Sequence, residues 1–283
     1  MLIAVALAIV WWLVALAFGA WTGVEPWSDQ RHTFTQAVHH LADPYSALVW
    51  PYVPWTVLPL IPFGLLPTAL AVLLQMILYF GLLTALIYRF DGGLTAMLIV
   101  LTSAIAFDTA LEINLEWIVV IGLLIPPVWS GPLLLVKPQA ALGAWLGFSP
   151  REWLWGGLVV LAVVAAALLI WPGWVGGIVA DIQENTLGDW GARINIAFSN
   201  LMPRPLSWAI GAVLAILALR RRDPVIGVFA WQFVVPYATL YGIMPAFALF
   251  ASRWPKLALV ASLTLWALYG SVLIPFLLTA QGR

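Results

Sequence analysis

Residues 1–21 read MLIAVALAIVWWLVALAFGAW, with no charged side chain and no Lys or Arg ahead of the apolar run. A helix needs about 20 apolar residues to cross a hydrocarbon core, whereas the apolar core of a secretory signal is shorter. The stretch is therefore read as a retained first helix. The rest of the chain keeps this character: of 283 residues, 64% are hydrophobic and 8% charged, with a mean hydropathy of +1.02. A soluble domain carries about 25% charged residues, so a surface made from this composition belongs in lipid. The apolar runs are long and continuous, unlike the short alternating strands of an outer-membrane barrel. The expected fold is all-α, a multi-pass transmembrane helical bundle with about nine to eleven helical segments, some short or broken. Residues 1–283 are read as a single integral membrane domain, placed in a bacterial cytoplasmic membrane.

Prolines punctuate the apolar runs. Residues 50–67 are proline-rich and read as a turn followed by a short or re-entrant segment. Residues 68–88 form a good span, 93–107 a shorter one, and 115–136 two half-helices broken at Pro126, Pro127 and Pro132. Residues 153–171 give the cleanest span of the second half, and 257–278 the last. Basic turns occur at Arg89, Arg151, the triplet Arg220–Arg222, and Arg253 with Lys256. The positive-inside rule places these in the cytoplasm and two polar loops, about 23–54 and 173–205, outside. The 12 basic and 12 acidic residues cancel, which argues against nucleic acid as a partner. Cysteine is absent, so disulfides and thiolate metal sites are excluded. The 18 tryptophans read mainly as interfacial anchors.

The first polar loop is conspicuous. Residues 25–45, EPWSDQRHTFTQAVHHLADPY, hold all three histidines together with three acids and one arginine. Asp29 can act as a general base on an acceptor hydroxyl at a water-poor interface, or Ser28 or Asp29 can simply cap the short helix that follows. His32, His39 and His40 are spaced poorly for a metal site, and suit headgroup hydrogen bonding or solvation. Asp108, Glu112 and Glu116 recur every four residues, so a continuous helix would stack them on one face, with Asn114 off that face. Lys137, in LLLVKPQAAL, calls for an anion, either a carboxylate of the acidic stripe or a lipid phosphate, or else it snorkels to the interface. Gln139 can add a hydrogen bond to the same ligand.

Several fragments in this order resemble one family, the GT-C type membrane glycosyltransferases that use polyprenyl-phosphate sugars, and among them glycosyltransferase family 87. The fragments are Asp29 in the first outer loop, Asp43-Pro44-Tyr45, and Tyr52 to Trp55 for the family's Tyr-Pro-Pro turn. They continue with Glu112 to Asn114 for its Gly-Gln-x-Asn, Lys137-Pro138-Gln139, and VPYATLY at 235–241 for its late Ser-Pro segment. The likeness spans about residues 1 to 250. It implies an inverting transfer of a mannose-like sugar from a polyprenyl-phosphate donor to an extracytoplasmic glycan or glycolipid acceptor. Asp29 would then be the catalytic base. Lys137 and Gln139, with Arg31 or Arg193, would bind the donor phosphate, and His32, Asp43, Tyr45, Glu112, Asn114, Tyr237 and Tyr241 would line the substrate site. No organic cofactor is implied, although Asp29 and the acidic stripe could hold a divalent cation through oxygen ligands. The chain departs from the family in its shortness, in Glu112 where Gln is usual, and in Val235 where Ser is usual. Those departures motivate a second reading, a degenerate relative serving as a structural or lipid-binding subunit of a membrane complex. A transporter would predict two halves with matching interruptions, and no such pairing is seen.

Overall fold

The computed structural model describes residues 1–46, 50–183 and 195–280, and these are helical with no β-strand among them. Helix α1 (Leu2–Thr22) leads through a π-helical turn (Asp29–Phe34) into α2 (Thr35–His39). Then come α3 (Val57–Gly64), α4 (Thr68–Arg89), α5 (Leu94–Leu101), α6 (Ala104–Glu112), α7 (Glu116–Leu124), α8 (Pro127–Leu134) and α9 (Pro138–Ala141). The second half contains α10 (Pro150–Ile170), α11 (Trp174–Asp181), α12 (Phe198–Leu201), α13 (Arg204–Arg221), α14 (Pro224–Gln232), α15 (Met244–Arg253) and α16 (Pro255–Ala280). Among the described residues these sixteen α-helices already outnumber the expected nine to eleven segments, because polar and proline breaks divide the runs more finely.

Among the described residues three helices, α1, α4 and α10, are long and apolar enough to cross a membrane. The expected span at 93–107 is instead two helices, α5 and α6, bent by 53°. The bend falls at Thr102 and Ser103, where the Ser103 hydroxyl caps α6 by accepting the Ala106 N–H at 3.2 Å. Helix α1 packs on α4 through Ala4, Ala8 and Ala15, the small side chains that let two backbones approach. Its other faces are largely exposed and apolar, and α10 buries only Gly156 and Ala167.

Each break frees carbonyls that need donors, and tryptophan supplies many of them. Trp11 donates its indole N–H to Leu101 and Trp266 to Thr102 at the α5–α6 bend; Trp12 donates to Ala69 at the start of α4. Trp27 donates to Ala110, Trp55 to Pro132 and Trp231 to Pro138. These indoles are internal fasteners as well as bulky apolar groups, a use the interfacial reading did not anticipate.

Candidate functional site

The three acids of the 108–116 stripe do not share one helical face. Ile113 and Asn114 interrupt the helix between Glu112 and Glu116, with Ile113 at φ −9° and ψ 121°. Asn114 makes the break: its Oδ1 accepts the Leu115 backbone N–H at 2.7 Å, a local bond that competes with helix continuation. Trp27 seals the other side, donating its backbone N–H to the Leu111 carbonyl and its indole N–H to the Ala110 carbonyl, both at 2.8 Å. It does so at φ 66°, a conformation costly for a bulky residue, and is fully buried. Held there, Trp27 fixes where the chain leaves α1 and hence where Asp29 points.

Asn114 is the hub. Its amide donates to the Asp29 carboxylate, and its Oδ1 also accepts the Tyr52 hydroxyl at 3.2 Å. The Tyr241 hydroxyl lies 3.5 Å from the same amide nitrogen. Neither Ser28 nor Asp29 makes a side-chain cap on the helical turn, so the capping alternative for Asp29 gives way to this long-range contact. Asp29 is half-buried. Burial raises its carboxyl to about 6; the Lys137 ammonium opposes this, Glu116 reinforces it, and the Asn114 amide opposes it.

Lys137 lies beside this group. Its ammonium is buried in an ion pair with Glu116, the partner from the acidic stripe, and sits 4.5 Å above the Tyr241 ring. Lys137 is 4% and Glu116 1% exposed, so the pair is screened from water. Tyr241 is anchored in turn by its backbone N–H, which donates to Asp108 Oδ2 at 3.0 Å. Burial, then the Asp29 charge, lifts the Tyr237 phenol to about 12.

The structure therefore gathers Asp29, Asn114, Lys137 and Tyr241 directly, with Tyr237 and Glu112 flanking. Gln139 is the second residue of α9, and its backbone carbonyl accepts the Gln232 amide at 3.0 Å. Other candidates serve the local loop. Arg31 and the exposed His32 both turn to Glu25. Exposed Asp43 accepts the Tyr45 backbone N–H at 3.2 Å, and the Tyr45 hydroxyl donates to the Tyr52 carbonyl at 2.7 Å. Arg193 lies outside the described residues. Among the described residues, no three His, Asp or Glu side chains come together as metal ligands. Sequence reasoning undervalued two members, Tyr52 and Glu116. Tyr52 was visible only as part of a turn motif, and Glu116 only as one step of a stripe.

An apolar groove of about 630 Å³ lies between α12, α14, α15 and α16. Phe229, Phe233, Phe247 and Leu265 line it. Ala238 and Ile243, which flank Tyr241 in sequence, also line it. No known family model, curated protein or solved structure matches the chain.

Proposed function

We propose that this protein is a multi-pass membrane glycosyltransferase that moves a sugar from a polyprenyl-phosphate carrier to an acceptor on the extracytoplasmic face. The observation that carries the reading is the Asp29 carboxylate, half-buried, gripped by Asn114 and set beside a buried cation. A carboxylate raised to about 6 is ionised at neutral pH and basic enough to draw a proton from an acceptor hydroxyl as it attacks the anomeric carbon. The departing phosphate takes the electron pair of the glycosidic bond. Lys137, on exchanging Glu116 for the phosphate, would neutralise it through charge-assisted hydrogen bonds. The groove between α12, α14, α15 and α16, almost wholly apolar, suits a hydrocarbon tail. The exposed leucines of α10, among them Leu154, Leu158, Leu161 and Leu169, support a lipid-facing exterior.

The experiment is glycolipid and glycan profiling of cells carrying Asp29→Asn, with folding checked in detergent. A missing product with a folded variant is expected; an unchanged profile overturns the role of Asp29. The second reading, a structural or lipid-binding subunit, draws on the Lys137–Glu116 pair, which already neutralises the cation that a donor phosphate would need. It predicts a stoichiometric partner on gentle purification and no turnover with polyprenyl-phosphate sugars.

A further inference from the structure

The ends of α4, α7 and α13 meet the starts of α8, α10 and α14 around a cavity of about 470 Å³, remote from Asp29. Helix α4 measures the separation. Gln75 donates to Gln30 in the Asp29 turn, while Arg89 lines the cavity 14 residues later, roughly 21 Å along the axis at 1.5 Å per residue.

Two guanidinium groups, Arg89 and Arg222, line this cavity, and neither has an ion-pair partner among the described residues. One acid, Glu152, lines the cavity with them, and Asp223 adjoins Arg222 in sequence. Glu152 Oε2 accepts the Ser149 backbone N–H at 2.7 Å in a capping box. Asp223 pairs with Arg253 and caps α14 through the Val225 and Ile226 N–H groups. Arg89 donates one N–H to the Leu124 carbonyl at 2.5 Å, which fixes the guanidinium at the end of α7. Arg222 stands at φ 51° as the residue that ends α13, so its position is set by the turn. Two like charges brought to one partly enclosed space repel each other unless an anion joins them. The planar donor forks of arginine match phosphate oxygens. Phe90, Leu123, Ile125 and Phe148 add apolar wall beside Ser149 and Glu152, so the cavity suits an anion with an organic portion better than a bare ion.

We propose that this cavity binds a phosphate-bearing molecule, its phosphate held between Arg89 and Arg222. The chemistry is shared by an anionic phospholipid headgroup and a soluble phosphate compound. Both are tested on the full chain, with phosphatidylglycerol in phosphatidylcholine nanodiscs in one arm and inorganic pyrophosphate in the other. The variants are Arg89→Gln with Arg222→Asn, and Arg222→Asn alone, since Asn tolerates the left-handed turn and keeps the fold. Arg221→Gln with Lys256→Gln removes equal charge outside the cavity. Saturable phosphatidylglycerol binding, weakened about tenfold or more by the cavity variants and unchanged in the control, supports a lipid headgroup. The same pattern with pyrophosphate supports a soluble ligand. Non-saturable binding in both arms, or equal loss in the control pair, overturns the proposal.

Discussion

At the scale of the residue, Asp29 owes its chemistry to what surrounds it. Folding holds its proton up to pH about 6, where an unfolded aspartate releases it near 3.8. Between those values the folded state binds more protons than the unfolded one, so Asp29 makes stability fall as pH rises through this window. Asp29→Asn should therefore be at least as stable as the wild type at pH above 6, while losing transfer by about 10²–10⁴-fold. Thermal unfolding and product formation, measured on the same preparation, check both halves. Wild-type turnover should rise with pH through about 6 as the base ionises, and Asn114→Ala should move that rise to higher pH by removing a bond that favours the carboxylate. The buried Lys137–Glu116 pair obeys a different rule. Lys137→Met strands a carboxylate and should cost about 3–5 kcal/mol, whereas Lys137→Met with Glu116→Leu should recover most of it. If the double variant is folded and inactive, Lys137 acts on the substrate; if it is folded and active, the lysine is structural.

At the scale of the element, the breaks are as informative as the helices. The stripe Asp108, Glu112, Glu116 has perfect helical spacing, yet Asn114 and Trp27 divide it and send Glu116 to Lys137 while Asp108 goes to Tyr241. Periodicity cannot reveal such a break, because the Trp27 bond that seals it spans more than eighty residues of sequence. Tryptophan indoles that take freed carbonyls should not tolerate loss of the donor alone. Trp11→Phe and Trp27→Phe keep an aromatic ring but leave Leu101 and Ala110 carbonyls unpaired, at about 1–3 kcal/mol each. Chemical denaturation of the purified variants measures this, and a Trp153→Phe control tests a more exposed indole bond.

At the scale of the whole molecule, two close approaches set the packing of the second half. A Cβ on Gly143 would lie 2.2 Å from the Gly227 carbonyl oxygen, and one on Gly147 would lie 2.2 Å from the Pro224 nitrogen. Backbone cannot retreat as a flexible side-chain tip can, so Gly143→Val should separate α14 from the segment before α10 and sharply reduce the yield of folded protein. The absence of cysteine makes topology directly testable. Single cysteines at His40 and Lys256 should react with an impermeant maleimide from opposite sides of the membrane, matching the outer loop and the basic turn.

The amino-acid sequence alone determined what depends on composition and local chemistry. It specified the helical character, the α1 and α4 boundaries, the two half-helices of 116–134, and a polar loop with Asp29 as its notable acid. Helical propensity, apolar length and proline are local properties, and they can be read one segment at a time. Which groups meet was decided only by tertiary structure. Asn114 against Asp29, Glu116 against Lys137, and Arg89 with Arg222 around one cavity join residues from separate elements. Buried polar groups must find partners wherever packing brings them. In a chain with so few charges, that requirement singles out a handful of residues, and only the folded arrangement says which belong together.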